Sequence, residues 1–356
     1  MQLTLFAVTL GFGLIVAALC TFATPIGERL GLIDYPDGSR KRHHRPTPLV
    51  GGIALMLPLL PVTMGEAVLQ PWWRADLFTA LGLSGLGFLT LGLIDDRHHL
   101  APRIRLLLSG GLCSVALLIE PRLMLTELDF GPFAVPLGLF AAPFTVLCLV
   151  GLQNAVNMAD GLNGLVIGLA LFWTLCLLLY APDPLVPYLA SLLLGLSILL
   201  PYNLNGRLFL GDAGAYPLGV GIGLLMIYVY NAPGSRLELL TVALWLGVPV
   251  LDCLRVMLTR LLAGRSPFEG DRNHLHHRLA GRWPWPRSVG VYLALATGPG
   301  VIAALWPTTT LPMLALGAML YAMMLVATRN SEVKLRSPLT GPLDRAMTRR
   351  TVRGEG

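Results

Sequence analysis

Four clusters of polar residues stand out in a chain that is otherwise apolar, and each could do chemistry. Asp95 and Asp96 adjoin each other in LGLIDDRHHL. Two adjacent carboxylates at the end of an apolar segment repel, and a low dielectric raises that cost. A divalent cation or a cationic partner would relieve it; plain helix termination with Arg97 as a local partner is the alternative. Asn154, Asn157, Asp160 and Asn163 recur every third position in NAVNMADGLNGL. A helix would align them in one stripe that should face a wet cavity or a ligand, although asparagines also serve helix packing. Gly161 and Gly164 permit close approach or a break. Asp212 lies in FLGDAGAYPLG, where it could cap a helix or bind a cation. Mg²⁺ takes few carboxylates and keeps waters or phosphate oxygens, so Asp95, Asp96, Asp160 and Asp212 on one face supply enough oxygen for it, with Mn²⁺ as a substitute.

The fourth cluster is basic. Residues 265–279 read RSPFEGDRNHLHHRL, with Arg265, Asp271, Arg272, His274, His276, His277 and Arg278. Zinc is disfavoured, because no cysteine accompanies the histidines and their spacing is unlike common zinc motifs. Arg and His donors suit phosphate and sugar better. A second basic stretch, Arg40, Lys41, Arg42 and Arg45, could set topology, touch anionic headgroups or hold a lipid phosphate. Asp252 and Arg255 stand at i and i+3 inside an apolar run, as an ion pair or as part of a site.

The elements that must position these residues are membrane helices. The chain has 356 residues, 54% hydrophobic and 13% charged, against about 25% charged in soluble domains. A bilayer span needs roughly 20 apolar residues. Eleven runs approach that length: 3–25, 50–69, 77–94, 104–120, 135–153, 162–180, 185–202, 211–230, 237–260, 289–306 and 309–327. The expected fold is an all-α polytopic membrane protein, with one transmembrane catalytic domain over 1–330 and a basic, disordered tail over 331–356. No basic n-region precedes Leu3 and no A-x-A-like site follows, so the first run reads as retained rather than as a signal peptide. The five cysteines all fall in apolar runs and read as packing residues.

Placing the first connection in the cytoplasm puts 23 of the 26 Lys and Arg on that side, leaving Arg74, Arg122 and Arg236 opposite. The positive-inside rule therefore sets the N-terminus outside and the C-terminus inside. The net charge of +6 follows from this topology and anion binding and gives no reason to invoke nucleic acid. All seven histidines share that side. Topogenic charge does not explain neutral histidine, which points to chemistry there.

At these residues the sequence resembles the bacterial polyprenyl-phosphate N-acetylhexosamine-1-phosphate transferases. The resemblance rests on six elements in order between about residues 30 and 280. They are R-K-x-H (Arg40, Lys41, His43), P-x-x-G-G (Pro48, Gly51, Gly52), the Asp pair, N-x-x-N-x-x-D-G, F-L-G-D-A-G and H-x-H-H. The last element looks most like enzymes that load N-acetylglucosamine 1-phosphate onto undecaprenyl phosphate to begin O-antigen, common-antigen or teichoic acid assembly. The phospho-N-acetylmuramoyl-pentapeptide transferase is a more distant resemblance.

The resemblance implies a Mg²⁺-dependent site made by cytoplasmic loops at a bacterial inner membrane, where a UDP-N-acetylhexosamine meets undecaprenyl phosphate and UMP is released. It implies Asp212 as a metal ligand with Asp95 or Asp96, and Asp95 as the group that takes the lipid phosphate's proton. Asp160, Asn154 and Asn157 would bind nucleotide or orient the nucleophile. Arg40 and Lys41 would hold the lipid phosphate, with His43 also among the substrate-binding residues. Arg265, His274, His276 and His277 would read diphosphate and sugar, with Asn163 and Asp271 also among the substrate-binding residues. It allows a homodimer, and leaves direct attack and a two-step aspartyl route open. Asn163 departs from the family's usual Asp, and Ala215 from its usual Ser. A secondary transporter is the rival reading, but transporters gather ionisable groups near the bilayer midplane in paired repeats; only Asp252 and Arg255 are candidates for such depth. An inactive assembly scaffold is the third, favoured only by Asn163.

Overall fold

The computed structural model describes residues 2–36, 45–69, 72–269 and 272–329. Arg40, Lys41, His43, Asp271 and the tail expected over 331–356 lie outside them. Thirteen α-helices follow in order: α1 Gln2–Thr21, α2 Ala23–Leu30, α3 Gly51–Leu69, α4 Trp72–His98, α5 Pro102–Ile119, α6 Ala141–Ala159 and α7 Leu165–Tyr180. After them come α8 Val186–Leu204, α9 Asp212–Tyr230, α10 Leu239–Leu262, α11 Leu275–Arg282, α12 Arg287–Leu305 and α13 Thr310–Ala327. Among the described residues nine helices are long and apolar enough to cross a membrane. The bent pair α1–α2, turned by 68°, raises that to ten. The chain is a multi-pass α-helical membrane protein.

Each of the eleven expected runs coincides with a helix or helix pair, but two differ in detail. Helix α7 has 16 residues, about 24 Å at 1.5 Å per residue, short of the ~30 Å hydrocarbon core. The run expected at 135–153 begins later. Ala134–Pro136 is β4, paired antiparallel with β3 (Glu127–Asp129), and α6 starts only at Ala141. Pro136 ends a strand, whereas Pro143 falls in the first helical turn, where a missing N–H costs nothing.

Helix α9 is the axis of the bundle. Of the residues in its apolar stretch 83% are buried, against 17% in the stretch containing α13, and it packs on α3, α4, α6 and α7. A second group, α10, α12 and α13, pack on one another and join the first through α10 on α6 and α12 on α7. The small hairpin β1–β2 (Ile33–Asp34, Thr47–Pro48) brings the P-x-x-G-G element to the start of α9. There Phe209 N–H donates to the Pro48 carbonyl (2.9 Å), Gly51 N–H to Phe209 (2.9 Å) and Gly52 N–H to Leu210 (3.0 Å).

Glycine makes this junction possible. A Cβ on Gly52 would stand 2.3 Å from the Ala213 carbonyl carbon and the Gly214 nitrogen, and one on Gly92 would stand 2.4 Å from the Asp212 oxygen and the Ala213 nitrogen. Backbone, unlike a flexible side chain, cannot step aside. Gly52→Ala is expected to cost about 1–3 kcal/mol of stability through overpacking and to push the start of α9 away from α3. Thermal unfolding in detergent micelles checks the first effect, and the rate of the proposed reaction the second.

Candidate active site

The start of α9 is capped from another helix. Both oxygens of Asp96 accept backbone N–H groups, Asp212 N at 2.9 Å and Ala213 N at 3.0 Å. A carboxylate satisfies these orphan donors and complements the positive helix end. The preceding Gly211 has φ 71°, and a Cβ there would lie 2.8 Å from an Asp96 oxygen. Asp212 therefore does not cap its own helix. As its first residue, it projects a carboxylate that accepts a hydrogen bond from the Asn157 side-chain amide of α6. Its neighbour Ala215, the other departure from the family pattern, is fully buried.

Asp95 is buried and engaged differently. Its carboxylate accepts from Leu100 N (2.7 Å), Tyr216 Oη (2.5 Å) and Arg105 Nη1 (3.2 Å). Arg105 also donates to Tyr216 Oη at 3.2 Å. The local partner expected for the Asp pair, Arg97, is exposed, and the pairing falls to Arg105 on α5. Arg105 and Tyr216 were missed from sequence. Tyr216 stands one turn after Asp212, so the motif itself carried that signal, whereas Arg105 was legible only as topogenic charge.

The asparagine stretch divides at a break. Asn154 and Asn157 are helical, Asp160 ends α6, and Asn163 lies in the turn before Gly164, whose φ is 85°. Asn154 donates to its own helix at Val150 O, 2.8 Å. The Asn163 carbonyl accepts from Trp285 Nε1 at 3.2 Å. Asn203, also missed from sequence, ties the turn to the α8–α9 loop: its Oδ1 accepts from Gly164 N (2.6 Å) and its Nδ2 donates to Leu208 O (3.1 Å). The Asp160 side chain has no hydrogen-bond partner among the described residues. Burial, with Asp212 nearby, pushes its carboxyl up to about 7.

The histidine cluster closes on this turn from α11. A Cβ on Gly161 would lie 2.3 Å from His276 Nε2 and 3.2 Å from a ring carbon of His277. The rings of His274 and His276 stack at 5.6 Å, and those of His276 and His277 stand 4.1 Å apart. His276 Nε2 is buried without a partner. Burial, then the neighbouring His277 and His274, hold its pKa well below the ordinary histidine range. His276 is thus a neutral hydrogen-bonding group rather than a cation for phosphate.

Asp252 aims this cluster. Its Oδ1 accepts from Arg255 Nη2 (2.8 Å) and Tyr321 Oη (3.0 Å), and its Oδ2 from Leu275 N (3.0 Å) with His274 Nδ1 at 3.0 Å. Arg255 donates also to the Asn273 carbonyl at 2.6 Å. The pair is the ion pair that one sequence reading expected, and its bonds to Asn273, His274 and Leu275 tie α10 to the start of α11. Arg265 is engaged by an acidic neighbour. It pairs with Glu269 at 2.8 Å with both side chains nearly half exposed. His98 and His99 are exposed too.

The family model described as glycosyl transferase family 4 matches residues 78–230. An undecaprenyl-phosphate alpha-N-acetylglucosaminyl 1-phosphate transferase of Yersinia pestis is 30% identical over 288 residues, covering 77% of this chain and 76% of the relative. The chain belongs to glycosyl transferase family 4. A probable undecaprenyl-phosphate N-acetylglucosaminyl 1-phosphate transferase of Bacillus subtilis (strain 168) is 29% identical over 272 residues, 72% of this chain and 73% of the relative. The Escherichia coli (strain K12) protein named as the Yersinia one is 28% identical over 290 residues, 77% and 76%.

The matched family region runs from α4 through α9, so it holds all four aspartates but stops short of Asp252 and the histidine loop. Among the described residues no three His, Cys, Asp or Glu side chains form a group able to hold a metal ion unaided. Mg²⁺ asks for less: one or two carboxylates, completed by waters and substrate phosphates. Asp212 and Asp96 meet at the start of α9, with Asp160 close enough to feel Asp212. This hard-oxygen set fits Mg²⁺ and suits Mn²⁺ as well.

Proposed function

We propose that this protein transfers N-acetylglucosamine 1-phosphate from UDP-N-acetylglucosamine to undecaprenyl phosphate, releasing UMP, at the cytoplasmic face of the bacterial inner membrane. The observation that carries this reading is the meeting of Asp96, Asp212, Asn157 and Asp160 with the His276–His277 pair at one end of the bundle. The relatives' names supply the acceptor and the sugar phosphate. The charge split supports an N-terminus outside and the site inside.

In this reading an oxygen of the lipid phosphate attacks the β-phosphorus of the UDP-sugar. The bond from that phosphorus to the bridging oxygen breaks, and UMP leaves with the electron pair. Asp212, with Asp96 beside it, would hold Mg²⁺, which when bound offsets the charge of the diphosphate. Asn157 orients Asp212 through its amide. Asp160 is better suited than Asp95 to take the lipid phosphate's proton, because Asp95 is committed to three donors whereas Asp160 has none among the described residues. A base whose pKa lies near the operating pH transfers protons efficiently. His276 and His277 close over the turn that bears Asp160, where the sugar diphosphate would lie, and Arg40, Lys41 and His43 are the candidates for the lipid phosphate.

Purified protein given undecaprenyl phosphate, Mg²⁺ and single UDP-N-acetylhexosamines should release UMP with the N-acetylglucosamine donor, and with Mn²⁺ in place of Mg²⁺. No UMP from any donor would overturn the reading. The proton assignment has its own test. The folded-state pKa of Asp160 is raised, so its basic form is lost as pH falls through about 7. The kcat/KM should therefore fall on the acid side, with the limb at pH 7 or lower once a cation is bound nearby. Asp160→Asn should remove that limb and about 10²–10⁴-fold of the rate.

A further inference from the structure

One sulfur cluster takes no part in the chemistry described so far. Cys253 on α10 is buried, and its Sγ lies 3.5 Å from Met158 Sδ on α6 and 3.7 Å from Met257 Sδ one turn further along α10. One thiol proton serves two thioether neighbours, so at most one contact at a time is a hydrogen bond. All five cysteines are free thiols, and among the described residues Cys253 is the one whose Sγ is shown within hydrogen-bond distance of thioether sulfurs. Met158 and Met257 are only half-buried, which leaves a way in.

We propose that Cys253, Met158 and Met257 form a binding site for a soft monovalent metal ion, Cu(I) or its analogue Ag(I). Thiolate and thioether sulfur select such ions over hard cations. With metal–sulfur bonds of about 2.3 Å, sulfurs around a trigonal ion stand about 4 Å apart, so the observed spacings need to open by only a few tenths of an ångström. Charge points the same way. Binding releases the thiol proton to water, and a thiolate with a monovalent ion is neutral, which an apolar helix interface tolerates. Zn²⁺ on the same three sulfurs would leave a net positive charge there. The ion would join α6 to α10 beside two functional positions, since Met158 follows Asn157 and Cys253 follows Asp252.

The test is an anaerobic competition of the full-length protein in detergent against a chromophoric Cu(I) chelator. The wild type should withdraw one equivalent of Cu(I) and melt at a higher temperature with it. Changing Met158→Leu and Met257→Leu together conserves volume and should weaken Cu(I) binding at least tenfold with the apo melting temperature nearly unchanged. Cys253→Ala should abolish binding, whereas replacing Cys20, Cys113, Cys148 and Cys176 by alanine should leave the equivalent in place. Failure of the wild type to compete would overturn the proposal. So would wild-type affinity in the double methionine variant, which would make this a lone thiol, or loss of binding in the variant that keeps only Cys253.

Discussion

Asp212→Asn is expected to reduce UMP release by about a thousandfold, roughly 4 kcal/mol of transition-state stabilisation, while the protein remains folded. The substitution is close to isosteric, and an asparagine oxygen still accepts from the Asn157 amide. The α9 cap survives, because it comes from Asp96 and reaches the backbone rather than the side chain of residue 212. Removing a carboxylate from beside Asp96 and Asp160 even relieves repulsion, so melting temperature should hold or rise. What disappears is the negative charge proposed to hold the cation. Steady-state UMP release at saturating Mg²⁺, together with a melting curve, separates the two quantities. A variant that turned over at the wild-type rate would sink the assignment.

Asp252→Ala should act on stability instead. It strands the Arg255 guanidinium, Tyr321 Oη, Leu275 N and His274 Nδ1 around an empty place. Breaking a buried ion pair from one side costs about 3–5 kcal/mol, because the surviving charge stays uncompensated. Replacing both members by apolar residues of similar size, Asp252→Leu with Arg255→Met, should recover most of that loss. Activity should not recover with it, since nothing then fixes His274 and the start of α11. Chemical unfolding and UMP release measured on Asp252→Leu, on Arg255→Met and on the double variant close a double-mutant cycle. Recovery of activity with stability would mean that Asp252 supports the bundle only and does not aim the histidines.

The sequence made the apolar runs legible because bilayer thickness imposes a length on each of them. Boundaries were less legible. The run that became β4 and α6 is apolar throughout its length, and hydropathy does not distinguish a strand at the bilayer edge from the helix that follows. The site's membership was legible from polar residues that lipid would otherwise reject. Its wiring was not. Asp96 caps a helix 116 positions away, and Asp95 turns from its neighbour Arg97 to Arg105, ten positions on. Such pairings follow from how α4, α5 and α9 pack, which residue spacing does not encode. Arg265 is the converse case: a motif position and residue type suited to phosphate, yet paired with Glu269 at the surface.

The carboxylate of Asp96 at the head of α9 has a consequence for selectivity. Exposed helix beginnings are ready seats for free oxyanions, and this one is filled by the protein itself. A stray sulfate or inorganic phosphate that arrives bare meets a wall of like charge and finds no vacancy. A diphosphate accompanied by a divalent counterion, as the proposed reaction requires, would instead be drawn in by its cation. On the proposed reading, the seat that other proteins leave open to any anion would act here as a sieve, favouring a metal-bound nucleotide over bare phosphate.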